Sequence, residues 1–306
     1  MVATPQKKKT AQLTTQQTTP PSQKSGTVKP RAAAPAITWA ALSQDLGERR
    51  AGSSSSKKTN IILYGDSGYG KTMTAATGIR PVLVDSWDPT GALSIRHWEE
   101  EGWVRVDDSW ETPSLNRAVD WIRYDRTLRE RMRSRIFDSI GTYVLDSITT
   151  LSVALLEWGY MEAGKESSSG VPDGRAAYGI AQKELQNLLT RICSLPCDVV
   201  VTAHPDKVIV TDLGVKELTP QFIGRVKSPM ALFSEIYYVE VKRTLKDDPK
   251  RGRKIGDPVR SLLINPDGIV RAKSRLNNRG QIPIRVEPNL RALRKLAGLP
   301  TEDKPY

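Results

Sequence analysis

Residues 65–72 read Gly-Asp-Ser-Gly-Tyr-Gly-Lys-Thr, an unbroken match to G-x-x-x-x-G-K-[ST], the pattern of a loop that wraps phosphate groups. Each residue type has a task in that chemistry. Gly65, Gly68 and Gly70 let the backbone turn where a side chain would forbid it and bring peptide N–H groups against phosphate oxygens. Asp66, Ser67 and Tyr69 fill the variable positions. Lys71 supplies an ammonium for β- and γ-phosphates, Thr72 a hydroxyl for magnesium, and the start of the following helix a positive dipole end. The pattern sits between a β-branched run, NIILY at 60–64, and a helix-competent MTAAT segment, the strand–loop–helix context such a loop needs. ATP with Mg2+ is the expected ligand; the alternative is a glycine-rich turn that happens to contain lysine.

A phosphate loop requires an acidic group on a neighbouring strand, so that the metal is held from the side opposite the threonine. Asp146 ends the run TYVLD at 142–146 and meets that requirement. An aspartate there also suits the cap of a following helix, and the two roles are compatible. Hydrolysis further needs a carboxylate to orient the attacking water. Asp85 and Asp88 lie at the end of PVLVD, 81–85, and Asp88 is preferred. His204 closes DVVVTAH, 198–204. From a strand end it could hydrogen-bond a γ-phosphate and report its loss to the segment that follows; it could equally be a plain core or loop histidine.

The elements that must position these groups show in the apolar pattern. NIILY, PVLVD, TYVLD and DVVVTAH are apolar nearly throughout rather than alternating, which suits strands of a parallel sheet covered on both faces. Leu185, Leu188, Leu189 and Ile192 form an i, i+3, i+4, i+7 stripe, so a helix connects the last two runs. Thr112 and Pro113 read as an N-cap and first helical residue of another crossover. The order predicts a doubly wound α/β domain with a mostly parallel sheet. After residue 205 the rhythm changes to hairpins, KVIVTD with KELTPQF and EIYYVEV with SLLINPDGIVRA, expected as antiparallel edge strands.

Composition sets outer bounds. The chain has 306 residues, 38% of them hydrophobic, and no apolar run near the roughly 18 residues that would suggest a membrane span. Two cysteines, Cys193 and Cys197, and two histidines exclude a disulfide scaffold and a four-ligand zinc site without carboxylates, and they suit a reducing compartment. The net charge of +12 favours polyanionic partners. Residues 1–58 carry ten basic and two acidic side chains in a Pro/Thr/Ser/Gln/Lys-rich stretch with little to bury, so a disordered basic tail is expected. Within it, Trp39, Leu42 and Leu46 share one helical face, predicting a short docking helix near 37–47. The core is expected over 59–297 and a C-terminal tail over 298–306.

GDSGYGKT, YVLDSITTL, VVVTAH and GRVKSPMALFSEIYYV together resemble the RecA/KaiC-like P-loop ATPases encoded by tailed phages, including the phage single-strand annealing ATPases. That resemblance, over residues 59–297, implies a RecA-like α/β P-loop NTPase fold and a DNA-dependent ATPase acting on single-stranded DNA in recombination, annealing or replication. It implies ATP bound between subunits of a homo-oligomeric ring or filament, and DNA running past residues 164–175 and the hairpin from Pro205 to Gly224. It further implies a cytoplasmic protein, in the host cytoplasm if phage-encoded, with a single-strand binding protein or replication factor as partner and no membrane. Such ATPases complete the site in trans with a K-x-R pair, and Lys273 and Arg275 have that spacing. Two departures stand out: the usual catalytic acid position holds Trp87, with Asp88 one step on, and His204 stands where full recombinases place Gln.

The segment 241–254, VKRTLKDDPKRGRK, carries seven basic and two acidic residues in what reads as a hairpin loop. It could hold DNA through phosphates without reading sequence, or be a solvated loop. Trp98, Trp103, Trp110, Trp121 and Trp158 read as core or interface residues rather than base-stacking platforms. A nucleotide-gated binding module with negligible hydrolysis is the runner-up function, and a helicase-type motor comes last.

Overall fold

The computed structural model describes residues 57–111, 117–166, 173–209, 216–223, 228–248, 252–277 and 280–305. The docking helix expected near 37–47, the Thr112–Pro113 cap and nearly all of the basic tail lie outside these residues.

The phosphate-loop strand takes the inner position the sequence pattern asks of it. β1 (Asn60–Tyr64) pairs in parallel with β5 (Asp198–Ala203) on one side and with β8 (Glu235–Asp248) on the other. Beyond β5 come β4 (Thr142–Asp146), β2 (Val82–Ser86) and β3 (Val104–Asp107), all parallel. Antiparallel pairing begins only past β8, with β9 (Gly252–Leu263) and then β11 (Arg285–Val286), while the short β10 (Lys273–Ser274) pairs with the start of β8. The sheet has nine strands in the order β11-β9-β8-β1-β5-β4-β2-β3, with β10 off that path. EIYYVEV pairs antiparallel with SLL of β9 as expected, and also extends the parallel sheet through β1, so the edge lies on the β9 side. The hairpin expected after residue 205 forms, but β6 (Pro205–Ile209) and β7 (Lys216–Pro220) make their own two-stranded sheet instead of an edge of the main one.

Alternate residues of the inner strands feed two cores, because successive side chains of a strand point to opposite faces. On one face, Ile62, Tyr64, Tyr143, Leu145 and Val201 pack under the long helices. These are α3 (Arg117–Arg133), α4 (Ile148–Glu166) and α5 (Gly174–Cys193), the last carrying the Leu185–Ile192 stripe. On the other face, Ile61, Leu63, Val82, Val84, Val144 and Val200 meet Ala75 of α1 (Lys71–Ala75) and Leu290 and Leu293 of α6 (Leu290–Leu296). A short α2 (Arg96–Glu100) lies between β2 and β3. Trp103, Trp110 and Trp121 are buried, and Trp98 and Trp158 pack against the cores. Past α6 the chain stays on the body, with Lys304 N donating to Arg80 O at 2.9 Å and Arg294 Nε to Pro300 O at 2.9 Å. Among the described residues no helix is long and apolar enough to cross a membrane.

The basic segment 241–254 is mostly strand rather than loop. Lys242, Arg243 and Lys246 belong to β8 and Arg253 and Lys254 to β9, while Lys250 and Arg251 lie outside the described residues. Because β1 stops at Tyr64, opposite Tyr238, the β8–β9 pair runs on past the carboxyl end of the sheet as a two-stranded ribbon.

Candidate functional site

The loop after β1 leaves the carboxyl end of an inner parallel strand, the place where open α/β sheets bind ligands. Gly65 is required by space: a Cβ there would stand 2.9 Å from Val239 O of β8. Gly70 is required by conformation, with φ at 93°, in the left-handed region that side chains rarely adopt. Lys71 is buried, and its Nζ donates to Gly65 O at 2.9 Å and Asp66 O at 3.1 Å. Burial lowers the pKa of its ammonium, while Asp146, Asp88 and Asp66 pull the other way.

Asp146 reaches the loop from two strands away. Its Oδ2 accepts from Thr72 Oγ1 at 2.6 Å, and its Oδ1 accepts from the Thr202 hydroxyl of neighbouring β5. The carboxylate is 1% exposed, and among the described residues no lysine or arginine hydrogen-bonds to it. Burial raises its pKa, an effect the two hydroxyls only partly offset.

Asp88, rather than Asp85, faces this cleft. Its Oδ1 accepts from Ser147 Oγ at 2.7 Å and from the Thr150 hydroxyl, and its Oδ2 lies 3.5 Å from His204 Nε2. Burial acts to raise its pKa, yet the hydrogen bonds from His204, Thr150 and Ser147 together hold it below the ordinary carboxylate value. Asp85 is turned into the core, where it accepts from Arg131 Nη1 at 2.7 Å and Tyr143 OH at 2.6 Å. Burial lifts its carboxyl to about 6 against the pull of Arg131. Trp87, between them, is buried against Trp110 and Tyr124, which explains why an acid is absent at that position.

Lys71, Thr72, Asp88 and His204 line one cavity of about 420 Å³, together with Gly91 and Arg260. The histidine is held by its main chain as well: His204 N donates to Thr149 Oγ1 at 3.0 Å, and Gln221 N donates to His204 O at 2.8 Å. Lys273 and Arg275 are not brought to this cavity within the chain. β10 pairs with the beginning of β8, away from the loop; Lys273 Nζ donates to Phe233 O at 2.7 Å, and Arg275 lines a separate cavity.

Two contributors carry no motif. Glu111, just past β3, accepts from Ser86 Oγ at 2.6 Å, Thr90 N at 3.0 Å and Ala92 N at 3.2 Å, and so fixes the segment that carries Asp88 and Gly91. Arg260 of β9 reaches the lip of the phosphate loop. Neither had a sequence signal beyond its charge.

The donor set suits Mg2+ brought with a nucleotide rather than a metal held by protein alone. Among the described residues no cluster of three or more His, Cys, Asp or Glu could hold an ion. One buried carboxylate beside a threonine hydroxyl, with no lysine or arginine bonded to it among the described residues, is the sparse set that magnesium accepts when phosphates complete its shell.

A glycine loop closing an inner parallel strand, a lysine folded onto it, and a strand-end aspartate bonded to the loop threonine define an α/β P-loop NTPase. Comparison with protein families narrows this: the AAA domain family matches residues 57–276, most of the chain, so the chain belongs to that family of AAA-type P-loop ATPases. Among solved structures, the chain is similar to an ATPase from the type III secretion system of pathogenic bacteria, at 15% identity and a TM-score of 0.36, over 59% of this chain and 50% of that one. The chain thus spans about half the length of that ATPase. Comparison with curated proteins gives no match.

Proposed function

We propose that this chain hydrolyses ATP with Mg2+ and couples that cycle to sequence-independent binding of single-stranded DNA, as a homo-oligomeric ring or filament in phage recombination, annealing or replication. The 2.6 Å bond from Thr72 to a buried Asp146, beside a buried Lys71, is the observation that carries the reading. In this reading Lys71 holds phosphate oxygens, Asp88 orients the attacking water, and His204 bonds the terminal phosphate. Lys273 and Arg275 are proposed to serve a neighbour's site. When bound, the metal supplies charge neutralisation on the phosphate oxygens from the side of Thr72 and Asp146. DNA binding is supported by the basic β8–β9 ribbon, which stands beyond the same end of the sheet as the phosphate loop. The test is ATP hydrolysis with and without single-stranded DNA, alongside light scattering. DNA-stimulated turnover and a steep loss of DNA affinity with salt are expected; turnover indifferent to DNA overturns the DNA part.

A second reading, a nucleotide-gated binding module with negligible hydrolysis, is favoured by one observation: both oxygens of Asp88 already face Ser147, Thr150 and His204. Equal assembly in ATP and a non-hydrolysable analogue, with turnover at background, selects it.

A further inference from the structure

Arg260 owes its place to the register of the sheet. β9 sets Arg260 opposite Val241 and Leu262 opposite Val239, and residues two apart on a strand share a face. Arg260 is therefore in phase with Leu262 and Ile264, which are fully buried in the core with Ala75, Leu290 and Leu293. The apolar stripe ends at Arg260, where α1 gives way to the phosphate loop. There the side chain lies along the loop: its Cδ and Nε are 3.4 and 3.5 Å from the point a Cβ on Gly70 would occupy. The residue is exposed, lines the same cavity as Lys71 and Thr72, and has no hydrogen bond or ion pair among the described residues.

Two carboxylates, Asp88 and Asp146, border or underlie this cavity, and the Lys71 ammonium is bonded to two loop carbonyls. A guanidinium at the rim, with no donor engaged among the described residues, supplies what they lack, a planar fork that matches phosphate oxygens in pairs. We propose that Arg260 is a phosphate-binding residue acting in cis, gripping the β- and γ-phosphates of the nucleotide, and that this grip ties the root of the β8–β9 ribbon to nucleotide occupancy. The proposal rests on the nucleotide reading of the cavity.

The test is titration of the full chain with ATP, ADP and AMP by calorimetry in Mg2+, comparing wild type with Arg260→Gln, Arg260→Lys and the remote surface control Arg126→Gln. Loss of one charge-assisted contact is expected to weaken ATP binding roughly ten- to a hundredfold in Arg260→Gln. ADP should weaken less and AMP hardly at all, Arg260→Lys should fall between, and Arg126→Gln should match wild type. Hydrogen exchange of residues 257–263 should slow on adding ATP to wild type and not to Arg260→Gln. Wild type that binds no nucleotide removes the parent reading. Wild type that binds, with Arg260→Gln within twofold of it or weakened equally for AMP, overturns the role of Arg260 alone. If Arg260→Gln melts early, Arg260→Lys decides: a melting temperature at the wild-type value with unchanged ATP, ADP and AMP affinities overturns the grip, and a selective loss for ATP supports it.

Discussion

Three aspartates on adjoining strands are buried, and they are closed in different ways. Asp198 accepts from Arg294 Nη1 at 2.6 Å and from Thr59 N at 2.7 Å; Asp85 accepts from Arg131 and Tyr143. Among the described residues, the Asp146 carboxylate accepts only from the hydroxyls of Thr72 and Thr202. A carboxylate removed from water requires either a cation or a raised pKa. The first two are given an arginine and act as braces, Asp198 at the foot of β5 and Asp85 between β2 and α3. The third is left without a bonded cation at the one end of the sheet where a glycine loop can bring a charged ligand. Burial alone does not separate scaffold from site; the missing bonded cation does, since Lys71 acts on Asp146 only through space.

That contrast can be broken most sharply at the brace. Arg294→Ala leaves Asp198 buried and unpaired and is expected to lower the unfolding free energy by about 3–5 kcal/mol, measured by urea denaturation. A loss under about 1 kcal/mol would show that the pair is not what holds that end. Asp146→Asn should do the opposite: stability unchanged or higher, because a desolvated charge is removed, with ATP turnover down by roughly 10²–10³, about 2.7–4 kcal/mol of transition-state stabilisation. An Asp146→Asn protein as unstable as Arg294→Ala would erase the distinction. Gly65→Ala should cost about 1–3 kcal/mol in thermal or urea unfolding, since Val239 O at 2.9 Å leaves a methyl no room.

The smallest effect concerns Asp88. Its pKa is depressed, so its share of stability is fully present above the ordinary carboxylate value of 3.8 and is lost as pH falls through the lower folded value. Removing one donor in Thr150→Val should cost about 1 kcal/mol near neutrality and move the acid limb of the stability curve to higher pH. Unfolding curves from pH 6 down to 2 measure both, and an unmoved limb would show that Thr150 does not set this carboxylate.

What was legible in the sequence was local. The phosphate loop, Asp146 and the inner strands show because one strand end or one short spacing holds all the information. Asp88 and His204 also lie at strand ends and reach the cavity, although their partners Ser147 and Thr150 come from another turn of chain. The ribbon was misjudged because a lysine- and arginine-rich stretch carries little apolar alternation, while its pairing is fixed by Val239 and Leu262 lower in the same strands. Glu111 and Arg260 come from the next loop and from a strand far along the chain, and only the fold brings them to the site. Arg131 and Arg294, which separate brace from site, are likewise single charges on helices with nothing local to mark their distant partners.

β8 spans 14 residues and β1 only five, and because β1 ends opposite Tyr238, ten residues of β8, Val239 to Asp248, run past the strand that bears the phosphate loop. At about 3.3 Å per residue the overhang is a lever of about 33 Å, and a tilt of about 5° at its root sweeps its far end by roughly 3 Å. A shift too small to alter the sheet is thereby magnified along a ribbon that carries Lys242, Arg243, Lys246, Arg253 and Lys254.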